Sequence, residues 1–127
     1  MISALFNQPN YVGIKKMLDA TVLRHEAIAS NLANIETPNY KRVDLPQNFT
    51  TELHRAIGGK NPEGIAAIKP QLAVDTNAVS TRADGNTVQL ESELAALNQN
   101  SVSHALETQL ITGQLLKLRL AITGRPI

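Results

Sequence analysis

Cysteine is absent from the 127 residues. That removes disulfides, thiolate nucleophiles and cysteine metal ligands together, and a chain without thiols passes through an oxidising compartment without mispairing. Tryptophan is absent as well, and the aromatic side chains besides histidine are Phe6, Tyr11, Tyr40 and Phe49. Large rings usually anchor a globular core; here leucine and isoleucine must do the burying, which favours packing of helix on helix. Neither sign of charge dominates, with 12 basic and 11 acidic residues and a net charge of +1, so there is no electrostatic footprint for nucleic acid or for an anionic membrane. No apolar run is long enough to span a bilayer. The opening MISALFNQPNYVGIKK lacks the basic segment and long apolar stretch of a Sec-type signal, so the expectation is no cleaved signal peptide.

What is present is helical periodicity at both ends. Tyr11, Ile14, Leu18, Thr21, His25, Ile28, Leu32 and Ile35 are spaced by threes and fours, the signature of one helix stripe. Asn7 or Asn10 is the expected N-cap, and Pro38 halts the helix by forcing the residue before it out of the α region. A longer repeat runs over residues 88–122: Leu90, Leu94, Leu97, Ser101, His104, Thr108, Ile111, Leu115, Leu118 and Ile122. Asp84-Gly85 marks a turn before it, Asn86 or Thr87 is the expected cap, and Gly124 with Pro126 closes it. The two stripes predict a mostly α protein, with two long terminal helices paired as an antiparallel, coiled-coil-like hairpin. The seam is expected at Ile14, Leu18, His25, Ile28 and Leu32 against Leu90, Leu94, Leu97, His104, Ile111, Leu115, Leu118 and Ile122. The second helix carries a further apolar row, Val102, Leu106, Leu110, Leu116 and Leu120. One partner helix covers one stripe, so this row is expected between subunits.

Residues 39–84 differ. They hold Pro46, Pro62 and Pro70 with Gly58, Gly59 and Gly64. Short extended pieces are expected at Tyr40–Leu45 and Gln71–Val74 and a short helix at Asn48–Ile57, in an irregular segment lying on neighbouring subunits. The chain thus divides into 1–38, the N-terminal helix and its joint; 39–84, the middle; and 85–127, the C-terminal helix.

Site chemistry is sparse. His25-Glu26 begins like a zinc-protease motif, but position 29, where the second histidine belongs, is alanine. Gly58-Gly59-Lys60 lacks the Ser or Thr and the preceding strand of a phosphate loop. His25 and His104 on apolar stripes read as a polar layer that fixes helix register, with Thr21, Ser101 and Thr108 as partners. Nothing points to an enzyme, a cofactor or a metal.

The densest run of hydrogen-bonding side chains is NLANIETPNYKR at residues 31–42. Thr37-Pro38-Asn39-Tyr40 reads as a β-turn. Asn34 tolerates the left-handed conformation found after helix ends. Amides such as Asn31 and Asn34 both donate and accept, so they suit gripping irregular backbone. The set Asn31, Leu32, Asn34, Thr37, Pro38, Asn39, Tyr40 and Lys41 resembles the N-terminal signature of the bacterial flagellar rod and hook proteins, which typically reads NLAN…TPGYK. Leu18–His25, Asp84-Gly85-Asn86, Leu90–Leu94, Leu97–Asn100 and Leu120–Arg125 look like the proximal rod members of that family. The family usually has glycine where this chain has Asn39; asparagine is the next-best residue for a positive φ, so the turn is expected to survive.

The resemblance implies a structural subunit whose terminal helices pair and polymerise into a periplasmic tube, the rod of the flagellar basal body. That tube transmits motor torque and encloses the export channel. Subunits would leave the cell through the flagellar type III export apparatus. Implied partners are copies of itself, the other flagellar rod proteins, the adaptor protein FliE and the membrane ring protein FliF. The alternatives are a sibling rod subunit at another axial position and a soluble helical-hairpin adaptor or chaperone.

Overall fold

The computed structural model describes residue 4, residues 6–80 and residues 82–125. Its elements are α1 (Pro9–Ala33), β1 (Val43–Asp44), α2 (Gln47–Gly58), α3 (Pro62–Ala67), β2 (Ala73–Val74) and α4 (Leu90–Thr123). The two long helices frame the molecule. They run antiparallel, because Thr21 of α1 meets Asn100 and Glu107 of α4, whereas Asn31, further along α1, meets Glu93, nearer the start of α4.

Local sequence explains each end. Pro9 occupies the first helical position of α1, where a missing N–H costs nothing; the N-cap is Gln8 and not Asn7 or Asn10. The C-cap is Asn34, at φ −106°, outside the left-handed region. The left-handed residue is Asn39 at φ 59°, inside a turn closed by Tyr40 N–H donating to Thr37 O at 3.3 Å. α3 starts on Asn61, whose Oδ1 accepts from Glu63 N at 3.2 Å. α4 starts after Gln89, later than the expected caps Asn86 and Thr87, and ends on Gly124 at φ 64° with its N–H on Leu120 O at 2.8 Å. Pro126, expected to close this helix, lies outside the described residues.

Short elements punctuate the irregular middle segment. The anticipated extended pieces form a two-stranded antiparallel ribbon, Val43 opposite Val74 and Asp44 opposite Ala73, and the anticipated helix is α2. α2 and α3 bury Phe49, Leu53 and Ile65 against Ala20 of α1, with Met17, Leu45 and Ile57 around them. Burying side chains of this size contributes about 1.5–3 kcal/mol each, enough to hold the segment on its own α1. Gly13 lets α2 come close: a Cβ there would stand 2.8 Å from Ile57 Cδ1.

The helix seam also departs from expectation. The face of α4 turned to α1 is Glu93, Ala96, Asn100 and Glu107, all buried. Of the expected seam, Ile28 is buried, and Ile14, Leu18, Leu32, Leu97, Ile111 and Leu118 are half-buried. Leu90, Leu94, Leu115 and Ile122 are exposed, as are His25 and His104. The reason is geometric. Glu93, Asn100 and Glu107 recur every seven residues, so they form a straight stripe of their own, and its polar groups find partners on α1 and in the joint.

Candidate functional site

The joint is where the end of α1, the stretch 39–45, the turn at 82–88 and the start of α4 converge. Asn31, fully buried one turn before the end of α1, holds the chain that follows. Its Nδ2 donates to Val43 O at 2.9 Å and to Glu93 Oε2 at 3.3 Å, and its Oδ1 accepts from Val43 N at 3.0 Å. The Tyr40 hydroxyl donates to the same Oδ1 at 3.4 Å and lies 3.0 Å from Ser30 Oγ. Asn34 Nδ2 turns back on Ser30 O at 2.8 Å and its Oδ1 accepts from Thr37 Oγ1 at 3.1 Å.

The partner of this signature is a second asparagine far along the chain. Asn86, 1% exposed, donates through Nδ2 to Asn34 O at 2.9 Å, Ile35 O at 3.2 Å and Thr37 O at 2.8 Å, and accepts from Val88 N at 2.7 Å. It thereby serves carbonyls that the end of a helix leaves without partners. Arg82 donates to Ile35 O as well. The stretch 39–42 lies along 84–87: Asn39 N donates to Asp84 O at 2.8 Å, Thr87 N to Tyr40 O at 3.1 Å, Arg42 N to Thr87 Oγ1 at 2.8 Å and Lys41 Nζ to Gly85 O at 2.8 Å.

Charge closes the joint. Arg42 bonds Glu93, Asp44 Oδ2 at 2.8 Å and Asp75 Oδ2 at 2.7 Å, and Arg24 lies 3.2 Å from Asp44. Burial alone would lower the Arg42 value, but the hydrogen bonds and charges of Glu93 and Asp44 outweigh it and hold the guanidinium above the ordinary arginine range. Glu93 is wholly buried, so Arg42 and Asn31 replace the water it has lost. One guanidinium therefore ties the ribbon, the joint and the first turn of α4.

Midway along the helix pair is a polar layer. Thr21 Oγ1 donates to Glu107 Oε2 at 3.1 Å, lies 3.2 Å from His104 Nδ1, and bonds Leu18 O at 2.9 Å, while Asn100 Nδ2 donates to Thr21 O at 2.8 Å. Burial pushes the Glu107 carboxyl up, against the lowering effect of the Thr21 hydroxyl and of His104. The expected members Ser101 and Thr108 bond their own helix, at Leu97 O and His104 O, and His25 stays outside the layer. The row Val102, Leu106, Leu110, Leu116 and Leu120 is exposed, up to 70% at Val102. Together with Leu90, Leu94, Leu115 and Ile122 it leaves α4 apolar on faces that this chain does not cover. Among the described residues, no helix is long and apolar enough to cross a membrane.

The signature asparagines are legible in the sequence as a set. Asn86 is expected there as a helix cap and, with Glu93 and Asn100, falls in the resembling blocks, but the bonding roles of Asn86, Arg42, Glu93 and Asn100 are not anticipated and Glu107 is not named, although the heptad spacing of Glu93, Asn100 and Glu107 is a readable signal.

Over 113 residues the chain is 32% identical to the flagellar basal body rod protein FlgB of Borrelia hermsii, spanning 75% of this chain and 82% of that one. The chain belongs to the FlgB family of flagellar basal body rod proteins. A FlgB of Aquifex aeolicus is 32% identical over 114 residues, covering 87% of this chain and 90% of its own length, and a FlgB of Salmonella typhimurium is 27% identical over 117 residues, covering 80% and 83%. No family model matches the chain. The family that the resemblance implied is therefore the family found.

Proposed function

We propose that this chain is a structural subunit of the proximal rod of the flagellar basal body, polymerising through its terminal helices into a periplasmic tube that transmits torque and encloses the export channel. The observation that carries this reading is the distribution of polarity around α4. The stripe used within the chain is the polar one, Glu93, Asn100 and Glu107, while the aliphatic rows through Leu106 and Leu94 face outwards. An isolated protein gains nothing from that arrangement, since burying a leucine contributes about 1.5–3 kcal/mol; a polymer buries both rows.

The joint supplies what a torque-bearing subunit needs. It welds the end of α1 to the start of α4 through Asn31, Asn86 and Arg42, so the hairpin turns as one body. The neighbours proposed for it are copies of itself, the other flagellar rod proteins, FliE and FliF, reached after passage through the flagellar type III export apparatus. No catalytic role is proposed.

The test is light scattering with circular dichroism on the full chain across concentration. Growth in particle size with retained helicity is expected, and Leu106→Gln with Leu110→Gln should shift it to at least tenfold higher concentration. A wild-type chain that stays monomeric throughout overturns the reading.

A further inference from the structure

Between α2 and α4, above α1, lies an open groove of about 310 Å³. One wall is apolar, with Met17, Phe49 and Leu53; the other is polar, with Gln99, Ser103 and Glu107. Glu107 is 5% exposed, receives a hydrogen bond from the Thr21 hydroxyl, and makes no ion pair with a lysine or arginine among the described residues. Arg24 and His54 also line the groove, but Arg24 is paired with Asp44 at 3.2 Å, so the Glu107 carboxylate has no Lys or Arg paired to it among the described residues, an incomplete arrangement.

The complement lies elsewhere on the same molecule. Gly113, Leu116, Lys117 and Leu120 are spaced i, i+3, i+4 and i+7 and share one face of α4. Leu116 and Leu120 are each 44% exposed, a Cβ placed on Gly113 would meet nothing within 4 Å, and Lys117 is exposed. This face offers one cation between two leucines, with a glycine that permits close approach. The groove offers an unpaired carboxylate, Glu107, beside apolar side chains, with Arg24 at its edge already held by Asp44. Both lie on α4, with Ser103 and Leu120 about 25 Å apart at ~1.5 Å per residue, so a straight helix cannot bring them together within one chain.

We infer that the Gly113–Leu116–Lys117–Leu120 face of one copy docks into the α2/α4 groove of the next, setting Lys117 on Glu107 and Leu116 and Leu120 against Phe49 and Leu53. The contact joins two different surfaces, so repetition gives an open helical chain of subunits and not a closed dimer. It rests on the rod reading above and names the surfaces through which like copies meet.

The absence of cysteine makes the test clean. A full-length chain carrying Ser103→Cys and Leu120→Cys is oxidised under mild conditions, with light scattering followed in parallel. Intermolecular cross-links are expected, and Lys117→Glu should reduce their yield at least tenfold. Adding Glu107→Lys to Lys117→Glu should restore most of it. Where circular dichroism shows Glu107→Lys unfolded, Glu107→Gln serves instead and should lower the cross-linking several-fold. Association without the 103–120 cross-link, or cross-linking indifferent to Lys117→Glu, overturns the docking and leaves the rod reading standing. No association at all overturns both.

Discussion

Asn31 pairs with Val43 as a neighbouring strand would: its amide donates to the Val43 carbonyl at 2.9 Å and accepts from the Val43 N–H at 3.0 Å. A helix side chain thus supplies the missing edge for β1. Asn31→Ala leaves two backbone groups and part of Glu93 without partners in a buried place. Each unsatisfied group costs about 1–3 kcal/mol, so the expected loss is about 3 kcal/mol, read as a lower urea midpoint at unchanged slope. Asn31→Asp keeps the acceptor, loses the donor and sets a second carboxylate beside Glu93. It should be worse than alanine at pH 7, and a milder aspartate would refute the amide grip.

Asn86 does for the end of α1 what Asn31 does for β1. Asn86→Ala deprives Asn34, Ile35 and Thr37 carbonyls of its donor and Val88 N of its acceptor. A loss of about 2–3 kcal/mol is expected, with faster amide exchange confined first to the joint and the last turn of α1. Uniform acceleration across α1 would argue against a capping role.

Gly85 and Asn39 are coupled. At Gly85, φ is 77° and an added Cβ would stand 2.6 Å from Asn39 Oδ1. Gly85→Ala should cost about 1–3 kcal/mol through backbone strain and the clash. Asn39→Gly in the same background removes the obstructing side chain and should recover part of that loss, and a double-mutant cycle measures the coupling. Strict additivity would show that the two turns do not touch in solution.

Arg42 should be replaceable only together with its anions. Arg42→Met strands the buried Glu93 and is expected to cost about 3–5 kcal/mol. Combining it with Glu93→Gln removes the stranded charge and should cost less than the single change, by thermal or urea unfolding. Arg42→Lys is also expected to fall short, because an ammonium cannot serve Glu93, Asp44 and Asp75 in one plane.

Much of this was readable from residue order. The periodicities of 11–35 and 88–122 located both long helices to within a few residues, and Thr37-Pro38-Asn39-Tyr40 located the turn. The pairing face of α4 was not readable by hydrophobicity, because tertiary partners overrode it: Glu93 is paired with Arg42 and hydrogen-bonded by Asn31, and Asn100 and Glu107 are hydrogen-bonded to Thr21. A stripe of leucines says that a surface will be buried; it does not say whether by the same chain. The packing of the middle segment on its own chain was not readable for a related cause. Phe49, Leu53 and Ile65 are few, but α1 presents Ala20 and Gly13 where large side chains would have kept them away.

Glu107 makes the helix seam respond to acid in an unusual direction. Burial raises its carboxyl above the ordinary glutamate range, with Thr21 and His104 opposing the rise. The folded chain therefore binds this proton more tightly than the unfolded chain, and the Glu107 contribution to stability falls as pH rises from 4.5 through the folded value. The other charged or titratable groups at the same groove are Arg24 of α1 and His54 of α2, with His104 reaching the layer through Thr21. Glu107→Gln should accordingly stabilise the isolated chain at pH 7 and make no difference well below pH 4.5, so the gap between variant and wild type closes on acidification. With His104→Ala the gap at pH 7 should widen, since a group that holds the carboxyl down has gone. Urea unfolding of both variants at dilute, monomeric concentration between pH 4 and pH 8 reads this directly, and a gap that widens on acidification would show that Glu107 is stabilised as an anion.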